Sequence, residues 1–447
     1  DPNHDLAASI MYYGTNLRGT RAYWRQRCSE LIQMVRQLGT PTIFFTLSAA
    51  DYHWPDLFRI LSPDTDPNLL DERQRSTLMH ENPSTVAWFF QKRCDIFMKK
   101  FMTRFFPVKD FWYRFEWQFR GSPHIHGLLW LENAPGCNDI DSLNDQARAR
   151  IVEYFDRLVS ACINERYIVV PQTNPCRRRY SDLNQAEITS DLDRLLSAVQ
   201  RHSRCGPYCM RKKRSTRLLT CRFGFPIPLE ASSSLRLESG SWKFIPRRND
   251  ALLQRYNRFV SQIWRGNTDF SAITSHDAVL NYISKYASKG EHASEAFSDI
   301  LRRIVNRNTV DTPASTLIRQ LLVSSVAERN YSAQEVMHLL MGWPLYHSSR
   351  STIVLSLKED WQRLRQNNDN SILNQYSNRD VELDDISLFE YAKNYYRTRG
   401  RTVKRRKECI VRTVPFLKLS DDPNSNEEYY KLQCKLHVPW RRDFESL

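Results

Sequence analysis

Phe115-Glu116-Trp117-Gln118-Phe119-Arg120-Gly121-Ser122-Pro123-His124-Ile125-His126-Gly127-Leu128-Leu129-Trp130 reads as two strands joined by a turn. Residues 111–119 alternate aromatic with polar side chains, and Gly121-Ser122-Pro123 breaks the run. The simplest arrangement is an antiparallel hairpin. Residues i and i+2 of a strand share a face. His124 and His126 therefore point together, Ile125 turns to the core, and Leu128 closes one end of the histidine face. Two imidazoles leave coordination positions open for a phosphate oxygen and water. That suits Mg²⁺ or Mn²⁺, although imidazole also accepts zinc. Glu116 and Gln118 share a face of the preceding strand, and either could supply a third ligand. Asp51, after the strand at 42–48, is a further candidate. The alternative is a pair of hydrogen-bonded histidines without metal. No His-Glu-x-x-His helix is present to suggest a metalloprotease.

Working outward, residues 23–36 repeat apolar side chains at helical spacing until Gly39 and Pro41 stop them. Residues 42–48 are β-branched and aromatic, as in a central strand. Helices are expected at 88–104 and 145–167, loop at 133–141, and extended chain around 264–273. From Pro313 onward the pattern is mostly helical, with segments at 316–326 and 333–340. Residues 397–407 form a concentrated basic run.

The chain has 447 residues, with 65 Lys and Arg against 50 Asp and Glu, a formal charge of +15. That excess favours a polyanionic partner. Apolar runs are too short or too interrupted for a membrane span. The first residues carry no signal-peptide pattern and no initiator Met, so an internal fragment is expected. There is no Walker motif or Gly-rich phosphate loop. Ten cysteines in this length do not make a disulfide scaffold.

Ser275 can cap a helix over 276–289 that Gly290 closes. Tyr282 and Tyr286, four apart, lie on one face of it, and Lys285 and Lys289 lie on an adjoining face. The lysines could hold a phosphate backbone near two phenolic nucleophiles, with Lys285 the better placed for phosphate stabilisation. A packed aromatic pair with solvated lysines is the alternative. Metal, tyrosines and basic charge together suggest a DNA strand transferase. Attack by a tyrosine gives a 5′-phosphotyrosine and a free 3′-hydroxyl.

His202, Cys205, Cys209 and Cys221 fit a tetrahedral zinc site, with Cys176 as an alternative ligand. The intervening Arg211, Lys212, Lys213 and Arg214 could lie on DNA phosphates.

These residues resemble the N-terminal replication-initiator (HUH nuclease) region of Helitron-type rolling-circle transposases. The resemblance lies in Phe45-Thr46-Leu47-Ser48-Ala49-Ala50-Asp51-Tyr52-His53-Trp54, in 116–130, in Cys221-Arg222-Phe223-Gly224-Phe225-Pro226, in Tyr282-Ile283-Ser284-Lys285-Tyr286, and in 327–336 and 438–441. It implies an α+β fold, a central antiparallel sheet flanked by helices. A zinc-stabilised insertion and a helical C-terminal region are expected with it. The expected segments are 1–170 and 236–300 for the nuclease, 171–235 for the insertion and 301–447 for an accessory region leading to a missing helicase. His124 and His126 match the family's metal-binding histidines, and Tyr282 and Tyr286 its nucleophiles. The implied substrate is single-stranded DNA at transposon ends, and the implied compartment is the nucleus. A plasmid-type rolling-circle replication initiator or a noncatalytic zinc-dependent nucleic-acid-binding module would share some of these features.

Overall fold

The computed structural model describes residues 17–117, 121–137, 140–167, 174–203, 205–206, 209–212, 218–276, 331–357, 371–398, 400–420 and 426–441, with scattered positions between 278 and 324. The chain divides into two units. The first holds residues 1–28 and 40–347, and the second holds 29–39 and 348–447. Helix α1 (Arg21–Leu38) contributes to both. Gly39, at φ +84°, ends it in the left-handed region where glycine is favoured.

The first unit is built on a five-stranded sheet of strands β1 (Ile43–Ser48), β2 (Val108–Trp117), β3 (Pro123–Leu131), β8 (Thr268–Ala272) and β9 (Tyr346–Ser348), in the order β8-β1-β3-β2-β9. β1 runs antiparallel to β3 and β8, and β2 runs antiparallel to β3, so the expected hairpin forms. Every residue of β3 is buried, because the strand is central and covered on both faces. One face is apolar: Phe45, Leu47, Phe115, Ile125, Leu129 and Phe270 join the main core. Helices α2 (Pro55–Leu61), α3 (Glu72–Glu81) and α4 (Pro83–Ile96) add Leu57, Phe58, Met79 and Phe90 to it. Trp54 and Trp264 meet edge to face at 5.4 Å in the same layer.

Gly127 is dictated by this packing. A Cβ there would lie 2.3 Å from the Phe45 ring and 2.9 Å from the Trp112 carbonyl oxygen. Gly127→Ala is therefore expected to destabilise the first unit by about 1–3 kcal/mol. Urea denaturation followed by tryptophan fluorescence measures this, and an unchanged midpoint would contradict the packing.

Several expected elements differ in extent. Helix α5 (Asp145–Asp156) stops well before 167. Val159 enters the core and Ser160 exchanges backbone hydrogen bonds with Tyr256 at 2.8 and 2.9 Å, which pulls the chain out of the helix. After α6 (Glu187–Leu195) come two short hairpins: β4 (Met210–Lys212) with β5 (Leu219–Cys221), and β6 (Ser234–Glu238) with β7 (Ser241–Ile245). The chain reads extended from 264, but Trp264 closes helix α7 (Arg258–Trp264). The Asn257 side chain caps that helix, accepting from Phe259 and Val260 amides. Helix α8 (Ala333–Leu340), capped by Ser332, forms where expected.

The second unit is not mostly helical in its described part. Strand β10 (Thr352–Ser356) pairs in parallel with β13 (Ile410–Val414), and β11 (Tyr395–Thr398) with β12 (Arg401–Lys404) makes a hairpin. β-branched Thr352, Ile353 and Val354 pair with Ile410, Val411 and Arg412 in that ladder, where such side chains pack well. Helices α9 (Ile372–Ser377), α10 (Leu388–Asn394) and α11 (Glu427–His437) complete the unit around Tyr376, Leu388, Tyr391, Leu432 and Leu436.

Candidate metal centre

The second face of the sheet is polar at its middle. Ser48, His124 and Glu116 form one cross-strand row, and Thr46, His126 and Arg114 form the next. Ile125, between the histidines, is fully buried on the opposite face. Five residues separate Trp117 from its partner Pro123, and this spacing sets Glu116 directly opposite His124. The Glu116 Oε2 atom lies 3.3 Å from His126 Nε2 and 3.8 Å from His124 Nε2. One donor atom from each of Glu116, His124 and His126 falls within 4.8 Å of the others.

The surroundings leave these groups in forms that could ligate a cation. Burial, reinforced by the charges of His126 and Arg114 and opposed by Glu116, pushes His124 down to about 3, so its imidazole is neutral. Burial raises Glu116, but the hydrogen bond to His126 and the charges of His126, His124 and Arg114 outweigh it. They hold the carboxyl well below the usual carboxylate range. His126 Nδ1 lies 2.9 Å from Thr46 Oγ1. Were Nε2 to hold an ion, Nδ1 would carry the proton and donate to that hydroxyl, fixing ring and tautomer. Phe44 stacks on the His126 ring with centroids 6.1 Å apart. The Arg114 guanidinium sits 3.7 Å from the centroid of Trp24, a residue of α1. Two imidazoles and one carboxylate suit a divalent cation by donor chemistry, and a buried unpartnered nitrogen, His124 Nδ1, lies in the same cluster.

Asp51 is committed elsewhere. The Ser122 hydroxyl donates to both its oxygens at 3.1 and 3.2 Å, and the Tyr52 amide donates to Oδ1. Gln118 lies outside the described residues. Thr46, Phe44, Arg114 and Trp24 were not singled out from sequence. The β-branched and aromatic composition of 42–48 was the one signal available, and it makes the segment a strand without saying what Thr46 meets.

In the insertion, His202, Cys205 and Cys221 bring one donor atom each within 4.8 Å of one another. His202 Nε2 is 3.0 Å from Cys205 Sγ and 3.7 Å from Cys221 Sγ. Phe225 stacks on the His202 ring at 4.8 Å. Slight burial opposes ionisation of Cys221, but backbone donors at Phe223, Phe225 and Gly224 lower its thiol overall. Cys209 precedes β4, with its amide and that of Met210 both turned to the Gly206 carbonyl. Cys176 belongs to the main core instead, beside Arg93 and Arg265, where burial pushes its thiol up to about 12. That placement gives it no share in the three-residue cluster. Arg211 and Lys212 are exposed on β4.

Lys213, Arg214, Tyr282, Lys285, Tyr286 and Lys289 lie outside the described residues. Where the tyrosine helix is expected to start, Ser275 Oγ accepts from the Ala278 amide at 3.2 Å. Val279 and Ile283 are buried. No helix among the described residues is long and apolar enough to cross a membrane.

Two histidines and a glutamate on the polar face of an antiparallel sheet form a candidate metal centre. Residues 1–129 match the family described as the Helitron helicase-like domain at the N-terminus. The matched stretch contains Thr46, Glu116, His124 and His126. No curated protein matches the chain.

Proposed function

We propose that the protein is a metal-dependent, two-tyrosine single-stranded DNA endonuclease and strand transferase of rolling-circle transposition. The convergence of Glu116, His124 and His126 on one face of the sheet, inside the Helitron-type region, carries this reading. A bound Mg²⁺ or Mn²⁺ would polarise the scissile phosphoryl group. Glu116, His124 and His126 would hold it, with Thr46 orienting His126. Tyr282 or Tyr286 attacks phosphorus through its phenolic oxygen. The bond from phosphorus to the 3′ oxygen breaks, and the departing oxygen takes a proton to become a 3′-hydroxyl. The 5′ side remains esterified to tyrosine, so reverse attack by a 3′-hydroxyl rejoins a strand without an external energy source. The second tyrosine accepts a second strand, and Lys285 lies near enough in sequence to steady phosphate charge.

His202, Cys205 and Cys221, with Cys209 as the expected fourth ligand, would hold a structural Zn²⁺ at the base of the Arg211–Lys212 strand. Elemental analysis of protein purified without chelator is expected to give stoichiometric zinc, lost in Cys221→Ser. Zinc-free folded protein would count against that site.

The nuclease reading is tested with single-stranded transposon-end DNA labelled downstream of candidate cleavage sites. A denaturation-resistant protein–DNA adduct is expected with Mn²⁺, reduced in Tyr282→Phe or Tyr286→Phe and absent in the double variant. Cleavage with no adduct, or an adduct that survives both substitutions, would refute tyrosine attack.

A further inference from the structure

We infer that the β11–β12 ribbon of the second unit is a separate contact surface for single-stranded DNA. No acidic residue occurs between Tyr395 and Lys407, while the stretch is dense in Arg and Lys. The pairing of Tyr396 with Val403 and of Thr398 with Arg401 puts these four side chains on one face. The opposite face is committed to the unit's own structure. Tyr395 packs against the core, and the Arg397 guanidinium donates to the carbonyls of Asn378 and Gly400, which pins the turn.

The outward face keeps an aromatic ring and cations for a ligand. Tyr396 is 36% exposed. The Arg405 guanidinium lies 5.1 Å from its ring centroid. Arg401 on this face and Arg406 just beyond the strand are exposed and make no ion pair among the described residues. The nearby carboxylate, Glu408, is already engaged by Lys393 at 3.1 Å and Arg350 at 3.7 Å. Cations flanking an exposed aromatic ring are the combination that tracks a strand's phosphates while a base stacks. An acidic peptide or a lipid surface would use the charge but leave Tyr396 without a role. The choice of DNA over RNA rests on the transposase reading. The surface itself does not, because binding is read without cleavage.

The test is fluorescence anisotropy of the full chain with a labelled single-stranded oligonucleotide in EDTA, across a salt series. The variants are Arg401→Glu/Arg405→Glu/Arg406→Glu and Tyr396→Ala. Arg73→Glu/Arg104→Glu/Arg150→Glu, exposed in the first unit, is a charge-matched control. The ribbon triple is expected to weaken binding by at least about tenfold and to reduce the log–log salt slope by about 2, as loss of three phosphate contacts requires. Tyr396→Ala is expected to cost about fivefold or more without changing the slope. Unaltered affinity in both ribbon variants, or an equal loss in the control triple, would overturn the surface. Equal losses on duplex DNA would overturn its preference for single strands, and tighter binding of an RNA of the same sequence would overturn its assignment to DNA. Loss of adduct formation with ribbon binding intact would remove the nuclease reading alone.

Discussion

The double substitution His124→Ala/His126→Ala is expected to abolish Mn²⁺ binding and lower adduct formation by about a thousandfold. That corresponds to about 4 kcal/mol of transition-state stabilisation. Both imidazoles are buried. Intermediate effects should follow the geometry. Glu116→Gln keeps the shape opposite His124 but removes the charge, and should weaken the ion without eliminating it. Thr46→Val leaves all three ligands and deletes only the oxygen 2.9 Å from His126 Nδ1. Its expected cost is about 10- to 100-fold in metal affinity. Calorimetric Mn²⁺ titration, with circular dichroism to verify folding, orders the series. Parental affinity in the folded double variant would refute the centre, and parental affinity in Thr46→Val would remove its role in orienting the ring.

Acidification from pH 7 toward pH 5 is expected to destabilise the first unit steeply. Three of its histidines are held neutral mainly by burial: His124 at about 3, and His53 and His338 at about 4. Arg177 and Arg75 add to the effect at His53, and Arg18 and His347 add to it at His338, where the Pro344 carbonyl partly opposes it. In the unfolded chain each titrates near 6.5. Between those values the unfolded state binds more protons, so stability rises with pH and is lost as pH falls through 6.5. Each group contributes up to about 1.4 kcal/mol per pH unit in that window. Glu116 acts in the same direction at lower pH, since its depressed carboxyl loses its contribution as it protonates. Asp51, raised by burial, acts in the opposite direction. Urea midpoints at pH 7.5, 6.5, 5.5 and 4.5 measure the slope. A flat profile between 6.5 and 5.5 would show that these rings are not buried neutral.

The histidine pair was legible because strand periodicity is local: once 124–131 is a strand, His124 and His126 share a face and Ile125 does not. The third member of the cluster was not legible. Glu116 and Gln118 obey the same alternation, and only the register of the hairpin sets Glu116 opposite His124. Thr46 reaches His126 through a pairing between segments far apart in sequence, which local patterning does not encode. Cys176 misled by proximity along the chain to other thiols, whereas its burial among aromatic and aliphatic neighbours decides its place. In the second unit, Thr352–Ser356 and Ile410–Val414 carried the β-branched composition of strands. Their parallel partnership joins distant segments, so neither half announces the other. The helix at 145–167 was over-extended because nothing local to Ser160 signals its bridge to Tyr256.

The two histidines occupy the middle strand of the sheet, so their spacing is guaranteed by neighbours on both sides. A one-residue slip of β3 would replace them with Ile125 and Gly127 on the polar face. An ion that needs both imidazoles therefore binds the correctly registered sheet and discriminates against shifted or unfolded chains. At a hundred times its dissociation constant such an ion adds about 2.7 kcal/mol to the native state. Divalent metal would thus act as a proofreader of strand alignment before it ever meets a phosphate.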